Sequence, residues 1–156
     1  MNQEIETRLA KYGVYYREIR FSELATPIQS VADLSRALDL ETTRITAMVA
    51  IYSSRPPLRY LAITPADRKL NLHVIEAWSQ IARFDSVTSY LPVIDIHARD
   101  GHPSLFRGDA QVLLDETLIH YPTIVIEEGT PEIVLEIAPV GLCMALDATV
   151  LQLADR

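Results

Sequence analysis

Cysteine is nearly absent from this chain of 156 residues: Cys143 stands alone. An intramolecular disulfide and a thiolate zinc cluster are thereby excluded. The residue lies in the apolar run Val140 to Leu146, where a lone cysteine reads as a small packed hydrophobe rather than a nucleophile. Lysine is almost as scarce, for only Lys11 and Lys69 occur among 14 basic residues. Five scattered glycines form neither a Walker loop nor a dinucleotide fingerprint. The nucleophile elbow Gly-x-Ser-x-Gly is missing as well. No apolar run reaches the roughly 18 residues of a membrane span, and Met1 to Glu6 carries neither a basic nor an apolar leader region. The expectation is a soluble, cytoplasmic protein with no membrane partner. Cations are also in deficit, 14 against 21 acidic residues, for a net charge of -7 and a pI near 5.0. A DNA binder driven by phosphate contacts needs the opposite balance, so DNA is not an expected partner.

What is present is a globular composition. A hydrophobic fraction of 49% and a charged fraction of 22% suit one domain spanning residues 1–156, long enough to bury a core. Ile5, Leu9 and Tyr12 recur at helical spacing, and Gly13 follows as a stop signal. Val14 to Ile19 reads as a strand. Ser30 with Asp33 three residues on is a helix N-terminus, and that helix ends near Asp39. The runs Arg44 to Tyr52 and Leu58 to Thr64, separated by Ser53-Ser54-Arg55-Pro56-Pro57, predict a hairpin. Leu72 to Ile81 suits a third helix. The stretch from Phe84 to Arg107 is the least regular and is expected to form a pocket wall. Strands are predicted over Ala110 to Leu114, Pro122 to Glu127 and Glu132 to Ile137, the last two joined through Glu128-Gly129-Thr130 as a second hairpin. A short helix through Leu146 and a strand within Thr149 to Leu153 close the chain. The fold class expected is α/β (mixed α+β): six or seven strands in a mixed sheet with flanking helices.

Chemistry-bearing residues are few. His73, His97, His102 and His120 include no pair with the i, i+4 spacing of a helical zinc motif, so no metal site is expected. No cofactor is indicated. Glu127, Glu128, Glu132 and Glu136 gather around the second hairpin, and the reading preferred for them is a solvated face.

The succession Leu38-Asp39-Leu40, Ile45 to Ile51, Leu61 to Pro65 with Leu70-Asn71-Leu72, then Val112 to Glu116, Thr123 to Gly129 and Ile133 to Ala138 resembles the YbaK/EbsC-type aminoacyl-tRNA deacylase family. The order is kept from about Val31 to Leu146. The resemblance implies a barrel-like mixed sheet and a pocket for the aminoacylated 3′ end of a mischarged tRNA. The implied reaction is hydrolysis of the ester that joins a wrong amino acid to the terminal ribose. Such a pocket works as a sieve, and the hydrolysis needs backbone N–H donors for the developing oxyanion and a placed water or substrate hydroxyl more than a protein nucleophile.

Carried over position by position, the resemblance assigns catalysis to the loop shaped by Gly101 and Pro103. It assigns substrate contacts to Thr46, Ala47 and Met48 on the strand and to His102 and Ser104 in the loop. Ala47 and Met48 stand where the family carries Lys-Thr, and Arg99-Asp100-Gly101-His102-Pro103-Ser104 lacks the usual Thr-Gly. Arg44, three residues from Ala47, belongs to the opposite strand face. These departures set a second reading beside the deacylase, a binding or regulatory module that kept the fold and lost the chemistry. A third is an unrelated hydrolase with His97 or His102 as general base. Association or fusion with another domain is compatible with each.

Overall fold

The computed structural model describes residues 3–54, 59–80, 84, 86–90, 110–127 and 132–155. Helix α1 (Gln3–Lys11) opens the chain. Of its predicted apolar positions Leu9 is fully buried, whereas Tyr12, just past the helix, is 41% exposed. Gly13 ends the helix at φ +61°, a left-handed conformation that costs glycine little, and Val14 N–H returns to the Leu9 carbonyl at 2.9 Å. Strand β1 (Tyr16–Arg20) follows. Helix α2 (Val31–Leu38) begins as predicted: the Ser30 hydroxyl accepts from Asp33 N–H at 3.1 Å. The Asp33 carboxylate reaches back to Gln29 N–H at 3.0 Å. That bond, partly opposed by desolvation and assisted by Ser30 and Arg36, holds the Asp33 carboxyl below its ordinary value.

The predicted first hairpin is β2 (Thr46–Tyr52) with β3 (Arg59–Pro65), antiparallel in a register that sets Thr46 opposite Pro65 and Tyr52 opposite Arg59. Its first strand starts two residues later than expected, because Thr42–Arg44 forms a 3-10 turn. Helix α3 (Leu72–Ser79) is capped by the Asn71 side chain on His73 N–H. Strand β4 (Ser86–Tyr90) then lies antiparallel on the outer edge of β2. This corrects the expectation of irregular chain over Ser86 to Tyr90; the run is too short and too polar to announce itself as a strand, and its extended form comes from pairing with β2, while residues 91–107, the rest of the expected pocket wall, lie outside the described residues.

After residue 109, β5 (Gln111–Asp115) runs parallel to β3, and a 3-10 turn over Glu116–His120 leads to β6 (Ile124–Glu127). The second predicted hairpin is present, β6 pairing with β7 (Ile133–Ile137). Helix α4 (Pro139–Leu146), with proline in its first turn, and β8 (Thr149–Leu151), parallel to β5, complete the chain.

The fold is therefore mixed α+β, but the strands do not form one barrel-like sheet. Among the described residues eight strands make two sheets, β1-β7-β6 and β4-β2-β3-β5-β8, and there is no closed barrel. The reason is edge accounting. A strand has two hydrogen-bonding edges, and those of β2 are taken by β3 and β4, so β6 joins only at its end, through a parallel bridge between Ile45 and Val125. Alternation along β2 and β3 divides the core. Met48, Ala50, Leu61 and Ile63 face a cluster with Leu114, Leu118, Leu135 and Ile137, while Val49, Ile51, Tyr60 and Ala62 face a second with Ile75, Leu113 and Leu153.

Candidate functional site

Thr46, Ala47 and Met48 all lie at the start of β2, and all are buried, with 3%, 5% and 4% exposure. Thr46 donates its hydroxyl to the Val125 carbonyl at 2.7 Å, which spends it on joining the sheets. Ala47 sits opposite Thr64, itself buried, and Met48 is part of the larger core cluster. Met48 is also flanked by Tyr90 of β4. No cation stands on this strand. Arg44, expected on the opposite strand face, precedes the strand in the 3-10 turn, and its guanidinium is committed elsewhere. Gly101, His102, Pro103 and Ser104 lie outside the described residues, as does His97.

The polar chemistry that the described residues do gather runs along the seam between the sheets. Arg44 donates from Nε to the Thr123 carbonyl at 2.9 Å and from Nη2 to Thr123 Oγ1 at 2.6 Å. Thr123 Oγ1 donates to Glu136 Oε2 at 2.7 Å, and Arg17 Nη2 donates to Glu136 Oε1 at 2.7 Å. Arg44 also stands 5.8 Å over the Tyr121 ring, whose hydroxyl lies 2.8 Å from Thr43 Oγ1. Partial burial pushes the Glu136 carboxyl up, but the hydrogen bonds from Thr123 and Arg17 and the charges of Arg17 and Arg44 outweigh it, and the group ends below its ordinary value.

The seam overturns the solvated-face reading for Glu127 and Glu136. Glu127 is buried and Glu136 keeps 13% of its side-chain exposure; Glu132, a left-handed turn residue before β7, is exposed as expected, and Glu128 lies outside the described residues. Strand β7 lies between β1 and β6, so Glu136 meets Arg17 of β1 and Thr123 just before β6. A signal existed in the sequence: a glutamate inside Ile133-Val134-Leu135-Glu136-Ile137 must find partners when the run is buried.

Beside the seam, Thr43, Pro65, Arg68, Thr117, Tyr121, Ala154 and Asp155 line a cleft of about 150 Å³. Its floor is organised by Asp115, buried at the end of β5, which accepts from Leu153 N–H at 2.8 Å and Ala154 N–H at 2.9 Å, and from the backbone and hydroxyl of Thr117. The carboxylate thus ties the C-terminal segment to the turn after β5. The sequence pattern, which ends the predicted strand at Leu114, gives no sign of this role.

Of the remaining candidates, His73 is exposed on α3, 3.2 Å from Glu76, and His120 is exposed after β5. Among the described residues no group of three or more His, Cys, Asp or Glu side chains could hold a metal. Cys143 is half-buried against the larger core cluster, and burial pushes its thiol up. It has the surroundings of a packed hydrophobe. Among the described residues no helix is long and apolar enough to cross a membrane.

No family model matches the chain, and no curated protein matches it in sequence. Solved structures do match. A hypothetical protein of the same fold overlays with a TM-score of 0.71 at 16% identity, covering 98% of this chain and 100% of the other. A candidate trans-editing enzyme for prolyl tRNA synthetase overlays with a TM-score of 0.68 at 17% identity, covering 99% and 96%. All of this chain also corresponds to 31% of a larger protein from Marinobacter aquaeolei VT8, described as a candidate signal transduction protein, with a TM-score of 0.55 at 12% identity. These likenesses show a shared fold.

Proposed function

We propose that the chain is an aminoacyl-tRNA deacylase-like editing domain that hydrolyses the ester of a mischarged tRNA. The observation that carries this reading is the overlay, over nearly the full length of both chains, with a candidate trans-editing enzyme. In this reading the segment around Gly101 and Pro103 supplies backbone N–H donors to the oxyanion, and His102 and Ser104 contact the aminoacyl ester. The start of β2 acts by shape. With Thr46 bonded to Val125 and with Ala47 and Met48 apolar, this stretch limits which amino acid enters and contributes no charge to the tRNA. Affinity for the tRNA terminus then depends on other residues, in a chain of net charge -7.

The test is a deacylation assay against tRNAs mischarged with small amino acids. Turnover above the uncatalysed rate is expected with at least one of them, and none at high enzyme concentration sinks the reading.

One observation favours a second reading, a binding or regulatory module without deacylase activity: the positions of the family's Lys-Thr pair hold buried Ala47 and Met48. The same fold forming part of a larger protein described as acting in signal transduction agrees with it. Ala47→Lys separates the two. A gain in affinity for the tRNA 3′ end supports the editing domain, whereas a folded variant with no gain supports the module.

A further inference from the structure

The cleft beside the seam is a site of its own, and we propose that it binds a small free amino acid. Its rim carries both charges, Arg68 and Asp155, and its wall carries three hydroxyls, from Thr43, Thr117 and Tyr121, between the apolar surfaces of Pro65 and Ala154. Each wall hydroxyl has a partner in place, Thr43 and Tyr121 in each other at 2.8 Å. Tyr121 is fixed by Thr43 and by Arg44 over its ring, and Thr117 by Asp115. The rim is fixed by backbone pairing of Asp155 N–H with the Lys69 carbonyl at 2.8 Å and by the bridge between Leu70 and Ala154. Walls held in place before a ligand arrives reduce the ordering cost of binding.

Arg68 retains donors for a ligand. Among the described residues its guanidinium makes one contact, at 3.5 Å to the Asp155 carbonyl oxygen, and no ion pair, although a guanidinium carries five N–H donors in a fork that matches a carboxylate. An anion alone would meet the Asp155 charge at the same rim, and a cation alone would meet Arg68. A zwitterion satisfies both. The volume of about 150 Å³, roughly that of five water molecules at ~30 Å³ each, has room for a ligand the size of glycine, alanine or serine. The ionised α-carboxylate that Arg68 would hold is absent from an aminoacyl ester. The cleft therefore takes the free acid, and the inference stands whether or not the chain deacylates tRNA.

Calorimetric titration of the full chain with glycine, L-alanine and L-serine, and with inorganic phosphate as the competing anion, tests this. Saturable binding of at least one amino acid is expected, with alaninamide and N-acetylalanine, each lacking one of the two charges, binding at least about tenfold more weakly. Arg68→Gln and Asp155→Asn should each weaken binding by about tenfold or more while circular dichroism stays unchanged, since both residues are exposed. The charge-deleted ligands carry the test without any substitution. The proposal is overturned by no saturable binding at millimolar amino acid, by phosphate binding more tightly than every amino acid, or by binding that is indifferent to both variants and both analogues.

Discussion

The centre of the five-stranded sheet and the seam between the two sheets bury their residues by opposite means. At Met48–Ile51 of β2 and Leu61–Ile63 of β3 the positions on both faces are apolar, and backbone pairing on both edges of β2 leaves these side chains nothing polar to do. At the seam β6 has β7 on one edge and little on the other, so side chains take over. The Thr123 carbonyl receives Arg44 Nε, and the Val125 carbonyl receives Thr46 Oγ1. Polar chemistry collects where a strand runs out of backbone partners, because a buried carbonyl left unmet costs about 1–3 kcal/mol. The start of β2, where Ala47 and Met48 stand in place of the Lys-Thr pair that the resemblance leads one to expect, adjoins this boundary, and the Thr46 hydroxyl there is used to close it.

If the contrast is right, substitutions in the two regions fail differently. The largest loss belongs to the sheet centre. Leu114, fully buried in the main cluster, should lose about 2–5 kcal/mol as Leu114→Ala, the range for a core cavity. Urea denaturation measures it, and a loss below about 1 kcal/mol would mean the cluster collapses onto the gap. Next comes Asp115, where the sheet gives way to the cleft. Asp115→Ala removes the acceptor for Leu153, Ala154 and Thr117 at once and should cost about 3 kcal/mol, as charge-assisted bonds to buried donors do. Asp115→Asn keeps one carbonyl oxygen and should recover about half of that loss. Equal losses in the two variants would show that the backbone donors find other partners.

The same contrast explains what could be read from the chain. Both hairpins, the Ser30 cap and the Gly13 stop were legible because each rests on local chemistry: continuous β-branched runs, a hydroxyl three residues before its N–H, a residue free to take positive φ. The division into two sheets was not, since it depends on which edges remain open after pairing, a property of no single segment. Strand β4 went unread for a related reason: its pairing with β2, not its own sequence, makes it extended. Arg44 and Thr123 are 79 positions apart, beyond any periodicity argument. Of the seven residues expected at the site, Thr46, Ala47 and Met48 lie consecutively on β2, and Gly101, His102, Pro103 and Ser104 lie outside the described residues.

The smallest expected effect probes the seam itself. Thr123→Val keeps the shape of the side chain but removes the hydroxyl that receives Arg44 and donates to Glu136, at a cost of about 1–2 kcal/mol near neutral pH. Its pH dependence is the sharper measurement. Because the folded Glu136 carboxyl is held below its ordinary value of 4.5, its contribution to stability is present above that value and is lost as the pH falls through the folded one. The variant lacks one of the bonds that hold the group down. Its deficit relative to the parent should therefore be full at neutral pH and shrink as acid protonates Glu136. A deficit that stays constant from pH 7 to pH 3, followed by denaturation at each pH, would mean that Thr123 serves the seam only through Arg44 and that the carboxylate is held by Arg17 alone.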